Sequence, residues 1–153
     1  MTTEDNGPAT QVYRVFIRAT PERVWDAITS PDLSPQWFFG SIVTVGDRFV
    51  GRGPDGELRV DGAVISSTAP RRLEHGWNSM RKENWAAEPT SRVTWEIEPA
   101  DPDVSLLTLT HDRLEDSPET AASSRGGWMI ALSGLKTLIE TGTPLFPGFT
   151  PPK

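Results

Sequence analysis

The chain has 153 residues, enough for one domain with a real core, and carries 15 basic against 21 acidic side chains, a net charge of −6. An acidic chain without a basic run argues against a nucleic-acid binder and against attachment to an anionic membrane surface. There is no cysteine, which excludes disulfides, thiol catalysis and cysteine-based zinc sites. The polar N-terminus MTTEDNGPAT lacks the basic and apolar regions of a signal peptide, and no apolar run nears the ~18 residues of a membrane span. The expected location is cytoplasmic.

Residues 1–10 read as disordered. VYRVFIRA alternates and predicts a strand over Val12–Arg18. TPERVWDAIT follows with Thr20 as N-cap, Pro21 at the first helical position and Glu22 at the positive end of the dipole. SPDLSPQWFFG repeats the Ser/Pro start and predicts a second short helix ending near Trp37. DRFVGRG and GELRVDGAVISST then read as strands around a turn at Pro54-Asp55-Gly56. On the second of these, Leu58, Val60, Gly62 and Val64 share one side. Leu73, His75 and Trp77 share a side of RRLEHGWNS. SRVTWEIEP puts Val93, Trp95 and Ile97 inward and Glu96 and Glu98 outward. VSLLTLTHD aligns Leu107, Leu109 and His111. Successive strands with short connections and one wet face predict an antiparallel meander.

RLEDSPETAASS reads as a loop, with Asp112, Glu115 and Asp116 clustered at its start. The longest helix is expected from Ser123 to Gly142, capped by Ser123 or Ser124. Trp128, Ala131, Leu132, Leu135, Leu138 and Ile139 fall on one stripe of it. It opens with Gly126 and Gly127, which cost helix stability; they either allow a tight first turn or let the helix pass close to neighbouring loops. The proline-rich tail, 143–153, is expected to be extended, packed through Leu145, Phe146 and Phe149 or loose in solvent. A curved sheet needs its apolar face covered, and only the last helix is long enough. The expected fold is α+β: a curved antiparallel sheet of six to seven strands wrapped around a long C-terminal helix, with two short helices after the first strand.

Chemistry-bearing residues are few. His75 and His111 share parity with apolar neighbours, so both should face the helix. A shared metal site is not expected, because a tryptophan-bearing strand separates them and no third ligand has a recognisable spacing. Each reads as a buried histidine with a hydrogen-bond partner or as a polar contact in an apolar pocket. No carboxylate pair is placed for acid–base work, and no nucleophile elbow, phosphate loop or H-E-x-x-H occurs. No cofactor is implied. The six tryptophans are the stronger signal. Trp85, in the polar loop RKENWAAE, reads as a residue folded back on the sheet edge, a dimer contact or a lid.

The segments ATPERVWDAITSPDLSPQWFFG, VDGAVISSTAPRRLEHGW, SRVTWEIEP, LLTLTHDRL and GGWMIALSGLKTLIETG, in that order over about residues 12–142, resemble the helix-grip (START-like, SRPBCC) superfamily. Within it they are most similar to the family named for the C-terminal domain of activators of the ninety-kilodalton heat-shock-protein ATPase. The resemblance implies one START-like domain over residues 11–142 with a ligand cavity between sheet and helix. Together with strand parity it implies a lining of Trp37, Phe39, Phe49, Val64, Trp77, Trp95, Leu109, His111, Trp128 and Leu132. The expected function is binding of a small hydrophobic or aromatic molecule. The alternatives are a protein-binding module with a chaperone partner, or a cyclase- or hydrolase-like enzyme using His111. A homodimer stays open.

Overall fold

Alternation of apolar and polar side chains builds most of this molecule. A computed structural model describes residues 9–80 and 83–146. Seven strands form one antiparallel sheet: β1 (Gln11–Ile17), β2 (Ser41–Val45), β3 (Arg48–Arg52), β4 (Leu58–Thr68), β5 (Arg72–Ser79), β6 (Ser91–Asp101) and β7 (Val104–Asp112). Their spatial order is β1-β7-β6-β5-β4-β3-β2. The meander is therefore continuous from β2 to β7, and β1 closes onto β7 with Val15 opposite Leu107.

Helix α1 (Pro21–Thr29) begins as its sequence dictates, with Thr20 accepting from the Arg23 amide and Pro21 at the first position. The second short helix is only a 3-10 turn, Ser34–Gln36, and Trp37–Gly40 follow outside regular structure. Ser34 is wholly buried and its hydroxyl bonds both the amide and the carbonyl of Ile42, fastening this turn to β2.

The long helix differs from expectation at its start. Helix α3 runs Pro118–Thr141. Five residues ahead of the expected start at Ser123, read as loop, are helical, and Gly126 and Gly127 lie in its interior rather than at its first turn. The physical reason is a cap supplied from elsewhere. Glu88 accepts hydrogen bonds from the Glu119 and Thr120 amides (2.9 and 3.0 Å) and from the Thr120 hydroxyl. Ser117, at the N-cap position, instead donates to the Pro89 carbonyl. At the other end Gly142 takes the left-handed conformation (φ 79°) and its amide closes on Leu138. Trp85 belongs to a short helix, α2 (Glu83–Ala86), and donates to the Glu119 carboxylate across 3.2 Å. The 83–90 segment is thus strapped onto the head of α3.

The core lies between the inner face of the sheet and α1 and α3. It contains Ile17, Val24, Ile28, Ile42, Phe49, Leu73, Val93, Trp95, Leu107, Leu109, Trp128 and Leu135, all buried. The outer face carries a charged ladder. Arg92 on β6 forks onto Asp112 and also reaches Glu74 on β5, which Arg72 holds from its other side. Asp112 therefore ends β7 rather than joining a loop cluster. The Arg72 hydrogen bond holds the Glu74 carboxyl below its usual range, and the Arg92 fork does the same for Asp112. Of the expectations for the chain ends, residues 1–8 and 147–153, Phe149 included, lie outside the described residues. No helix among the described residues is long and apolar enough to cross a membrane.

Candidate functional site

Parity brings the inward aromatic residues of β5 and β6 into contact with Trp128 of α3, and Phe49 of β3 joins them through β5. Trp77 and Trp128 meet with centroids 5.0 Å apart, and Trp95 meets Trp128 edge-on at 5.6 Å. Phe49 stacks on His75 at 3.6 Å with planes 9° apart. Trp37 joins from the turn after α1, its ring edge-on to Trp95 and its indole N–H on the Ala27 carbonyl at 2.8 Å.

The two histidines are wholly buried, and each is spoken for on both ring nitrogens. An indole N–H can only donate. Trp95 donates to His75 Nε2 at 3.0 Å, so the His75 proton sits on Nδ1 and goes to the Gly76 carbonyl at 2.8 Å. Trp128 donates to His111 Nδ1 at 3.0 Å, so the His111 proton sits on Nε2 and goes to Ser91 Oγ at 2.8 Å. Ser91 in turn donates to the Trp77 carbonyl at 3.1 Å. Burial lowers the His75 pKa to about 4. Burial, then the neighbouring His75, lowers that of His111 to about 3.

The Ser91–His111 pair looks at first like a nucleophile beside its base. Its polarity runs the other way. A general base must accept the serine proton on a free nitrogen, with its second nitrogen held by an acceptor. Here Nε2 already carries the proton, and the second nitrogen faces a donor. The arrangement specifies packing and leaves Ser91 without a base. Among the described residues no group of three or more histidine, aspartate or glutamate side chains could hold a metal ion.

The open space lies beside this cluster. A pocket of about 590 Å³ sits where Pro35–Ser41 meets the β3–β4 turn (Gly53, Pro54), Gly134 of α3 and the tail residues Pro144, Leu145 and Phe146. Its described lining includes no charged side chain. Leu145 and Phe146 are 39% and 45% exposed, so this wall is only partly packed.

Of the ten residues expected to line a cavity, Trp37 and Phe39 line this pocket. Phe49, Trp77, Trp95, Leu109, His111, Trp128 and Leu132 are buried in the core behind it, and Val64 packs half-buried against that core. Phe38 was not singled out by the sequence. Its ring contacts Trp37, Phe39, Trp77 and Trp128 and also lines the pocket. Nor were the tail residues assigned to the site. Alternation could not find Phe38, because Trp37–Gly40 is neither strand nor helix.

Two glycines of α3 face the same turn. A Cβ on Gly134 would stand 3.0 Å from the Trp37 carbonyl oxygen, and one on Gly127 would stand 3.8 Å from the Phe39 ring. Bare backbone at Gly134 lets the Trp37 turn lie close against the helix. Gly126 meets nothing.

Solved structures share this architecture. CalU16 from Micromonospora echinospora is 25% identical, with a TM-score of 0.69 over 88% of this chain and 76% of that one. MLL2253 from Mesorhizobium loti is 24% identical, with a TM-score of 0.70 over 85% and 96%. The Aha1 dimer from Colwellia psychrerythraea is 20% identical, with a TM-score of 0.68 over 87% and 97%. The fold is helix-grip, as the sequence segments implied. Comparison with the curated proteins gives no match. The family model for "Activator of Hsp90 ATPase homolog 1-like protein" matches residues 18–140, and the chain belongs to that family.

Proposed function

We propose that this protein binds a small, uncharged apolar or aromatic molecule in the pocket between the Trp37–Gly40 turn, the end of α3 and the tail. The observation that carries this is the pocket's combination of size and lining. About 590 Å³ falls in the range of small-molecule sites, and aromatic and proline rings without a charged side chain suit an uncharged guest. Gln36 and Ser41 at its border supply the few polar groups that orient such a ligand. The histidines add none, since their nitrogens are already bonded inside the core.

The test is a thermal-shift screen against uncharged aromatic and aliphatic compounds, repeated on Leu145→Asp. A ligand that binds only the native state at about 100 times its dissociation constant adds roughly 2.7 kcal/mol, a visible rise in Tm. The wild type should give hits. Leu145 is partly exposed, so Leu145→Asp should melt like the wild type without ligand and lose the shift, because it sets a charge in an uncharged wall. Shifts retained in Leu145→Asp would move binding away from this pocket. No shift with any compound, together with stimulation of a chaperone ATPase by the purified protein, would favour the surface role that the family description suggests.

A further inference from the structure

Phe38 lines the pocket, and its ring also meets Trp77 and Trp128 at centroid distances of 6.5 and 6.4 Å. Its amide bonds the Ser34 carbonyl as that of Trp37 does, but its ring is held differently. Trp37 is 5% exposed and pinned through its indole N–H to Ala27, whereas Phe38 is half-buried, has no polar handle and sits on irregular backbone. Trp77, which the Phe38 ring meets edge-on, is the most exposed of the core tryptophans at 9%.

We propose that Phe38 is the movable inner wall of the pocket, and that a planar, uncharged ligand with fused aromatic rings displaces its ring and takes its place against Trp77 and Trp128. This rests on the pocket-binding reading above. The displaced ring already makes edge and tilted contacts with its aromatic neighbours, so a flat aromatic guest restores what the move removes. A fused system is required because one ring fills only the place of Phe38, while a second extends into the pocket. The inner end accepts no charged or strongly polar group: the imidazole of His111, hydrogen-bonded to Trp128, has both nitrogens engaged within the core.

The probe is N-phenyl-1-naphthylamine, an uncharged fused-ring fluorophore, titrated into the wild type and Phe38→Ala. A binding-competent state populated about one time in ten weakens apparent affinity about tenfold, so removing the ring should tighten binding by about that factor. In the wild type, the indole N–H NMR signals of Trp77 and Trp128 should move with the dye, while that of Trp25 on α1 stays. If Phe38→Ala folds poorly, Phe38→Leu serves, and any tightening of its affinity supports the same conclusion. Equal affinities with unmoved Trp77 and Trp128 signals would overturn the movable wall while leaving the outer pocket as the site. No binding to either protein would overturn the pocket reading and this inference with it.

Discussion

His75 and His111 stay neutral because each imidazole accepts from an indole N–H, and a second proton would have to occupy that same nitrogen. This links the core to pH. An unfolded imidazole takes its proton near 6.5, while the buried ones hold out to about 4 and about 3. Between those values the unfolded chain binds more protons, so stability is full above pH 6.5 and falls as pH drops towards 4. Each histidine contributes a slope of about 1.4 kcal/mol per pH unit in that window. Urea unfolding at pH 7 and pH 5 measures it, and His111→Phe should have the shallower slope. A flat profile would mean that the imidazoles are not held neutral. Parity alone found both histidines and their burial. Their donors were beyond reach, because an indole 17 or 20 residues away on another element leaves no local pattern.

At the scale of elements, helix α3 separates local from distant causes. Gly126 faces open space and Gly134 faces the Trp37 carbonyl. Gly126→Ala should therefore stabilise by up to about 1 kcal/mol through helix propensity. Gly134→Ala should lose that gain and destabilise, because backbone oxygen at 3.0 Å gives way poorly. Thermal unfolding of the pair decides it, and equal Tm changes would mean that the turn yields. Glu88→Ala removes the acceptor for two amides and a hydroxyl at the helix head and should cost about 1–2 kcal/mol. Amide exchange at Glu119 and Thr120 should quicken before the rest of the helix, and unchanged exchange would count against the cap. Ser117-Pro118-Glu119 carries the same Ser/Thr-Pro-Glu start that located α1 at Thr20-Pro21-Glu22. It gives no apolar stripe to follow, because 117–125 is largely polar. The partner that stabilises it lies about thirty residues upstream, invisible to any local window.

For the whole molecule, period-two alternation made the strands legible and the meander order followed, since short connections leave neighbours in sequence beside each other. What alternation hides is lateral bonding across strands. Arg92 ties β5, β6 and β7 on the outer face, and the carboxyls of Glu74 and Asp112 are held low there. A carboxyl lowered in the folded state adds stability above its unfolded pKa and loses it as pH falls through the folded value. Arg92→Ala should thus be weaker by about 1 kcal/mol at pH 7, a modest figure because the groups are partly exposed, with the gap narrowing in acid. Unfolding curves at pH 7 and pH 3 check this, and a gap that widens in acid would contradict it.

Helix α3 is fastened at both ends. Glu88 holds its head, while near its foot Glu140 receives the Arg18 amide and Lys136 reaches the Phe16 carbonyl. A beam bolted at each end does not swing like a door. In the pocket proposed above, a guest would sit beside the Trp37–Gly40 turn, which lies outside regular strand and helix. Lengthening that turn beyond Trp37, whose ring is anchored in the core, should then change the residence time of a bound molecule more than it changes the hold on α3.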